Sequence, residues 1–510
     1  MKEPVELVVV GGGTAGWMAA AALVSLLPRE RCTVRLIESE EIGTVGVGEA
    51  TLPHMKVFND SIGLPELEMM RGTHSTFKLG IEFRDWGYRG GSYVHPFGAH
   101  GRPEGGLPFQ HRWVRALRNG RQFDLDDFSY AIVASRRNRF EFPSTDQQAI
   151  ESSYSYAYHF DAGLYSQVLR QFSEPRGVRR TEGKVVEVLL HPERGDIASL
   201  RLESGEIVKG DFFIDCSGFR SLLLGQTLGN AYEDWTKWLP CDRAYAVPSA
   251  RRGELTPYTR STALEAGWQW RIPLQHRTGN GYVFSTAFIS EDEAAHRLVN
   301  NLDAPALGEP RLLRFKAGRR KSSWQRNCLA LGLASGFLEP LESTSIYLVQ
   351  AAILHLLPLF PGKRVDPVLA QEFNRRMDVE YERIRDFLIL HYHANCRDDA
   401  ELWRYCRAMD VPDSLKARIE LFVRRGFIEQ YKDGLFTPPS WLSVYVGQGL
   451  VPRDYHPLAD NVPLEAAIEE LEVLRRQISE RVDRMPAHEE FVGRYCPSPA
   501  AVREAEEVRA

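Results

Sequence analysis

Cysteine is scarce: seven in 510 residues, at 32, 216, 241, 328, 396, 406 and 496. No C-x-x-C pair and no Cys/His cluster occurs, so neither a disulfide framework nor a zinc site is expected, and the thiols read as reduced. Long hydrophobic runs are also missing. The longest N-terminal apolar stretch, from Trp17 to Leu27, is too short to cross a bilayer and follows a glycine loop. Basic tracts are absent and the formal net charge is −5, which gives nucleic acid or an anionic membrane nothing to bind. Repeats and long linkers are absent too. The expectation is a cytoplasmic globular protein, with no metal, nucleic-acid or membrane partner, acting as a monomer or homodimer.

With 43% apolar and 26% charged residues, the chain can build a substantial core. It opens with a strand pattern, "VELVVV", a turn, "GGGTAG", an Ala-rich helix, "WMAAAALVSLL", and a second strand, "CTVRLIE". Residues 50–150 read as loops and short strands. "GKVVEVLL", "DIASLRL" and "EIVKGDFFIDCSG" read as a β-meander, and "GWQWRIPL" with "NGYVFSTAFI" as a second strand-rich stretch. After Ser343 the period becomes helical, and the last dozen residues read as frayed. The expected fold is α/β: a glutathione-reductase-like, Rossmann-type FAD-binding module over residues 1–345. A β-sheet substrate region is interleaved in it at about 52–160 and 225–325, and a helical region, 346–510, covers the substrate site.

Gly11, Gly13 and Gly16, with Thr14 and Ala15 between, form G-x-G-x-x-G between strand and helix. The first glycine makes the turn, the second admits a pyrophosphate, and the third lets helix and strand pack closely. Glu38 ends the next strand, where a carboxylate can bond a ribose hydroxyl. FAD is favoured over NAD by two buried strands running into small-residue turns, at 209–221 and 327–340. No second dinucleotide fingerprint exists, so a separate flavin reductase is expected to supply FADH2.

In "GWQWRIPL" the period of two places Trp268, Trp270 and Ile272 on one face and Gln269 and Arg271 on the other; Pro273 ends the strand or makes it an edge. Two indoles in a strand are most often core residues. In "TFKLGIEF" the alternation sets Lys78, Gly80 and Glu82 opposite Phe77, Leu79, Ile81 and Phe83. Most strand lysines are solvated.

Six motifs in order, "GGGTAGW", "GVGEAT" (46–51), "FKLGIEF" (77–83), "HPF" (95–97), W-x-W-x-I-P (268–273) and "FLEPLEST" (337–344), resemble the flavin-dependent halogenases of the tryptophan-halogenase family. The resemblance runs from residue 5 to about 450. It implies that reduced FAD, O2 and a chloride or bromide ion yield hypohalous acid, which travels through a tunnel to a small aromatic substrate. By the same resemblance Lys78 positions the oxidant and Glu342 assists at the reacting carbon. Thr344 and Ser345 hold the halide on backbone amides. Ile81, His95, Pro96, Phe97, Ser343 and, more loosely aligned, Trp441 line the substrate. Trp268 and Trp270 wall it from the flavin, and Gly48, Ala50, Val186, Leu333 and Ile346 join the fingerprint residues around FAD.

The chain also departs from that family. The lid that binds free tryptophan's ammonium and carboxylate corresponds to a short stretch, 424–441, in which those ligands cannot be placed; indole, or an aromatic carried by a larger molecule, fits at least as well. Serine stands at 345 where the family has glycine. The rivals are an aromatic flavin monooxygenase on the same fold and a non-catalytic flavin carrier. The Trp pair and Lys78 argue against the first, and a carrier would not need Lys78 and Glu342 together.

Overall fold

The computed structural model describes residues 3–41, 48–432 and 434–498. Gly46 and Val47 of the "GVGEAT" motif and the last dozen residues lie outside the described residues. The chain forms two compact units, each assembled from three segments: 3–75, 160–242 and 314–382 in the first, and 76–159, 243–313 and 383–498 in the second.

The first unit is built on a six-stranded sheet in the order Trp324–Gln325, Cys328–Ala330, Phe212–Asp215, Val5–Val10, Cys32–Glu38, Arg179–Glu182. All its neighbours pair in parallel except the terminal Trp324–Gln325 hairpin. Parallel strands must be covered on both faces, which explains the continuous apolar run of Val5–Val10. One cover is the helix Thr14–Leu26, whose residues from Gly16 to Leu23 are all buried. The other is the expected meander, Val185–Leu190, Ile197–Leu202 and Ile207–Lys209, whose Leu200 and Val208 join Val8 and Phe213 in one core.

The second unit is built on a seven-stranded sheet in the order Arg311–Arg314, Arg243–Ser249, Thr278–Phe284, Gly267–Pro273, Tyr258–Leu264, Gly80–Arg84, Ser92–Pro96. The strand Gly267–Pro273 is central, fully buried, and ends at Pro273. Helices follow in the C-terminal third, among them Pro367–His393, Asp413–Arg425, Pro438–Gly447 and Leu464–Asp483. No helix among the described residues is long and apolar enough to cross a membrane.

Two readings need correction. Residues 50–150 contain four α-helices, His54–Ile62, Glu66–Gly72, Phe109–Arg118 and Tyr130–Arg136, and not only loops and short strands. Each is at most ten residues long and is flanked by proline, glycine or polar turns that mask a 3.6 period in the sequence. "TFKLGIEF" is not one strand. It breaks at Leu79 into Thr76–Lys78, which pairs with Ala157–Asp161, and Gly80–Arg84, which pairs with Tyr258–Leu264. Because the segment changes partners, Phe77, Lys78 and Leu79 are all fully buried, and no solvated face exists for the lysine.

Candidate active site

The glycines of the first turn divide their labour. A β-carbon on Gly11 would lie 2.2 Å from Cys216 O, and Gly11 has φ +117°, so this turn requires glycine twice over. One on Gly16 would lie 1.8 Å from Gly11 O, which locks helix against turn. One on Gly13 would meet nothing within 4 Å. Gly13 is also the N-cap of Thr14–Leu26 and has no side chain with which to cap it, which suits the amides and positive potential of that helix start to an anion.

Glu38 stands over this loop. Its Oε2 accepts from Trp17 Nε1 at 3.2 Å and its Oε1 from Arg180 Nε at 2.5 Å. An added β-carbon on Gly12 would collide with that carboxylate. The donor set suits a dinucleotide: amides for a pyrophosphate and a fixed carboxylate for a ribose. Gly332, with φ +59°, comes close to the first helix, its β-carbon position 3.0 Å from Ala15 Cβ, and Leu333 follows it in a short 3-10 turn. Gly48 and Ala50 lie on the short strand Gly48–Ala50, and Ile346 is buried in the helix Thr344–Leu356. Val186 is 58% exposed on the meander.

"FLEPLEST" forms the entry to that same helix. Glu339 and Ser343, neither a glycine, have φ of +64° and +58°. Left-handed backbone at such residues costs about 1–3 kcal/mol and concentrates at functional sites. Ser343 is the N-cap, yet its side chain makes no capping bond to the first-turn amides of Thr344 and Ser345. Glu342 is fully buried. The Thr344 hydroxyl is buried and has no hydrogen-bond partner among the described residues. Ser345 is helical, so the glycine of the family pattern is not needed for its backbone conformation.

In the second unit, Lys78 is held by the strand that carries it. Thr76 Oγ1 donates to Pro273 O at 2.8 Å and lies 3.1 Å from His159 Nδ1. A hydroxyl has one proton, so His159 Nδ1–H is the donor of that second bond, and its Nε2, 3.0 Å away, accepts from Thr259 Oγ1. Burial, reinforced by the nearby Lys78 cation, holds this imidazole neutral, far below the ordinary histidine range. The Lys78 Nζ lies 5.0 Å from the centre of the Phe97 ring.

An aromatic wall continues from there. His95, opposite Ile81 in the sheet register, is followed by Pro96 and Phe97. The His95 ring is 5.6 Å from Phe387 and 6.0 Å from Phe436; these two stack at 3.8 Å, and Phe387 meets Trp441 edge-on at 4.9 Å. The structure thus brings His95, Phe97 and Trp441 into one aromatic network. Phe387 and Phe436, which join them, were missed by sequence reasoning. Phe387 follows the apolar period of its long helix and Phe436 sits five residues before Trp441, but neither has a motif.

Trp268 and Trp270 share a face, ring centres 6.1 Å apart. Trp268 belongs to an indole cluster in which Trp86 bridges it, at 6.2 Å, to Trp403, at 5.2 Å. The Trp270 ring covers Gly281, where a β-carbon would come within 2.0 Å of it. Both are core residues by burial. The seven cysteines are free, and no group of metal-binding side chains occurs among the described residues.

A parallel sheet with a glycine turn, an uncapped helix start and an acid-tipped second strand defines a nucleotide-binding α/β enzyme, here combined with a buried lysine on an aromatic-walled sheet. The chain belongs to the tryptophan halogenase family, whose profile matches residues 6–464, and is a flavin-dependent halogenase. It is 36% identical over 520 residues to tryptophan 6-halogenase SttH of Streptomyces toxytricini, across 96% of this chain and 98% of that one. Among solved structures it is similar to Xcc4156, a flavin-dependent halogenase from Xanthomonas campestris (46% identity, TM-score 0.94, 98% and 99% coverage). It is also similar to BrvH, a flavin-dependent halogenase from Brevundimonas sp. BAL3 (43% identity, TM-score 0.93, 97% and 100% coverage).

Proposed function

We propose that this enzyme uses FADH2 from a separate reductase, O2 and halide to brominate or chlorinate an electron-rich aromatic of the indole type. The observation that carries the reading is the fully buried Lys78 with its ammonium beside the Phe97 ring, in a chain whose family motifs run in order. A surface lysine could not meet a short-lived oxidant before water does; one sealed in an aromatic pocket can.

Gly11, Gly13, Thr14, Ala15, Gly16 and Glu38, with Gly48, Ala50, Val186, Leu333 and Ile346 around it, would hold the flavin, which in its reduced form would supply two electrons and the halide two more for the reduction of O2 to hypohalous acid and water. The uncapped amides of Thr344 and Ser345 hold the halide, an anion at a helix N-terminus. Lys78 receives the oxidant, led to it through a tunnel, and orients it by hydrogen bonding. Glu342 stabilises the cationic ring intermediate and its deprotonation. Ile81, His95, Pro96, Phe97, Ser343 and Trp441 hold the ring of the substrate, and Trp268 with Trp270 keep it from the flavin, so that halide is oxidised and the ring is not hydroxylated.

The test is a reaction containing enzyme, FAD, NADH, a flavin reductase, bromide and an indole panel, read by mass spectrometry. Monobrominated product that requires enzyme, reductase and halide supports the reading. A hydroxylated product formed without halide would replace it with the monooxygenase.

A further inference from the structure

Trp17 ties the glycine turn to the acid that stands over it. Its backbone N–H closes the first helical turn on Gly13 O at 3.1 Å, and its indole N–H is the donor to Glu38 Oε2 at 3.2 Å. The residue is only 1% exposed, so the indole cannot swing away into solvent. The other carboxylate oxygen is held from a neighbouring strand: Arg180, on Arg179–Glu182, donates from Nε to Glu38 Oε1 at 2.5 Å. An indole N–H on one oxygen and a guanidinium on the other fix both the place and the rotation of this carboxylate, and each oxygen keeps a lone pair to offer.

Charge is the second observation. Arg180 Nη2 also reaches Glu40 at 3.0 Å and Glu182 at 2.5 Å, and Arg170 stands 3.7 Å from Glu38 and 3.8 Å from Glu40. Among these groups two guanidiniums face three carboxylates. Glu38 is the one over the turn, since a β-carbon on Gly12 would strike its Oε2. An acid in that place repels a pyrophosphate entering the same turn unless a cation stays beside it. Arg180 supplies the cation and, bonding Glu38 through Nε alone, leaves the carboxylate open to a further donor.

Resting on the use of FAD in the proposed function, we infer that Trp17 and Arg180 are positioning residues that set flavin affinity through Glu38. Trp17 aims the carboxylate at a ribose hydroxyl of the adenosine half. Arg180 offsets the charge of that carboxylate, so that the turn beneath it accepts the pyrophosphate. A misaimed carboxylate makes a poor bond to the hydroxyl, whereas an uncompensated one opposes the diphosphate. Loss of each residue therefore has its own signature.

The experiment displaces FAD from the full-length protein with ADP, 2′-deoxy-ADP, 3′-deoxy-ADP and inorganic pyrophosphate, followed by flavin fluorescence. ADP should compete about tenfold better than the weaker of the two deoxy analogues. Trp17→Phe keeps a buried ring without the N–H; it should cut that ratio to about threefold or less and leave pyrophosphate unaffected. Glu38→Ala should abolish the ratio, and the double variant should lose no more than Glu38→Ala alone, as residues acting through one contact do. Arg180→Met should weaken ADP and pyrophosphate alike, about fivefold and less at high salt, and Arg180→Lys should recover most of that loss. If Trp17 only packs, Trp17→Phe would weaken every competitor together with the ratio unchanged, or its effect would add to that of Glu38→Ala; either result overturns the inference for Trp17. Undiminished pyrophosphate binding by Arg180→Met overturns it for Arg180. Failure of the wild-type protein to bind FAD at all would instead defeat the proposed function.

Discussion

The Lys78 ammonium sits 5.0 Å from the centre of the Phe97 ring, on a residue with no exposure to solvent. A cation beside an aromatic face is stabilised by the ring quadrupole, more so when desolvated. The ring that contacts the lysine is thus one proposed to hold substrate. Lys78→Met keeps much of the volume and removes the charge. Ring halogenation should fall at least about 100-fold, as for loss of a residue acting directly on the reacting groups. Reoxidation of reduced flavin by O2, followed by stopped flow, should continue. Failure of flavin reoxidation itself would mean that Lys78 serves the flavin and not the substrate.

The glycine turn allows two variants with different signatures. Gly13→Ala enters open space at an ordinary φ of −76°, so folding should be unaffected while FAD affinity drops at least about tenfold, because the added methyl occupies the pyrophosphate approach. Gly16→Ala would place a β-carbon 1.8 Å from Gly11 O and should destabilise the protein by about 1–3 kcal/mol or more. Thermal melts with and without FAD separate the two. Equal loss of stability in both would show that Gly13 is also a packing glycine.

What the sequence disclosed, and what it hid, follows from the range of the interactions. The turn, Glu38 and the parallel strands were legible because a strand, three glycines and an acid act over forty residues with fixed periods. The burial of Lys78 was not, since it depends on a break at Leu79 that only the competing partners Ala157 and Tyr258 create. Alternation wrongly treated that segment as a two-faced strand. Phe387 and Phe436 were invisible for the same reason: each becomes part of the aromatic wall only when distant segments meet at Trp441.

Acid should loosen the strand that carries Lys78. His488 Nε2 accepts from the Phe77 N–H at 3.2 Å, so its Nδ1–H donates to Leu255 O at 2.9 Å. Burial pushes this imidazole down to about 4, against the backbone bond to Leu255 that favours the cation. An unfolded histidine titrates near 6.5, so between about pH 6.5 and 4 the unfolded chain binds a proton that the folded one refuses. The stabilisation is complete above that window and is lost as pH falls through it, at about 1.4 kcal/mol per pH unit. Glutamine can accept from Phe77 and donate to Leu255 without titrating. Urea unfolding of His488→Gln between pH 6 and 4 should therefore be less pH-dependent than wild type by about that slope. Parallel pH profiles would show that His488 is not held neutral.

Only one dinucleotide fingerprint is present, at Gly11 to Gly16. The pure enzyme with FAD and NADH should therefore consume no NADH and form no product, and addition of a flavin reductase, or of chemically reduced FAD, should start the reaction. Rapid NADH oxidation by the protein alone would reveal a nicotinamide site that the fingerprint did not announce.

The last expectation concerns halide choice. Ser345 lies in the first turn of the helix Thr344–Leu356, beside a left-handed Ser343 and a buried Thr344 hydroxyl without a hydrogen-bond partner among the described residues. Its backbone is helical, so serine imposes no strain there; what it adds relative to glycine is a β-carbon and a hydroxyl near the amides proposed to hold the anion. The donors are unchanged, and an anion site should persist with altered shape and solvation. Chloride is smaller and more strongly hydrated than bromide, so it loses more when the fit is imperfect and its water is not fully replaced. Bromination should exceed chlorination at equal halide, although part of that preference is chemical, bromide being easier to oxidise. Ser345→Gly separates the two contributions: removing the side chain should lower the bromide-to-chloride rate ratio without changing the intrinsic chemistry. Competition between the two halides in one reaction, with products counted by mass spectrometry, measures this ratio directly. If it is the same in wild type and variant, Ser345 does not shape the site and the preference belongs to the halide.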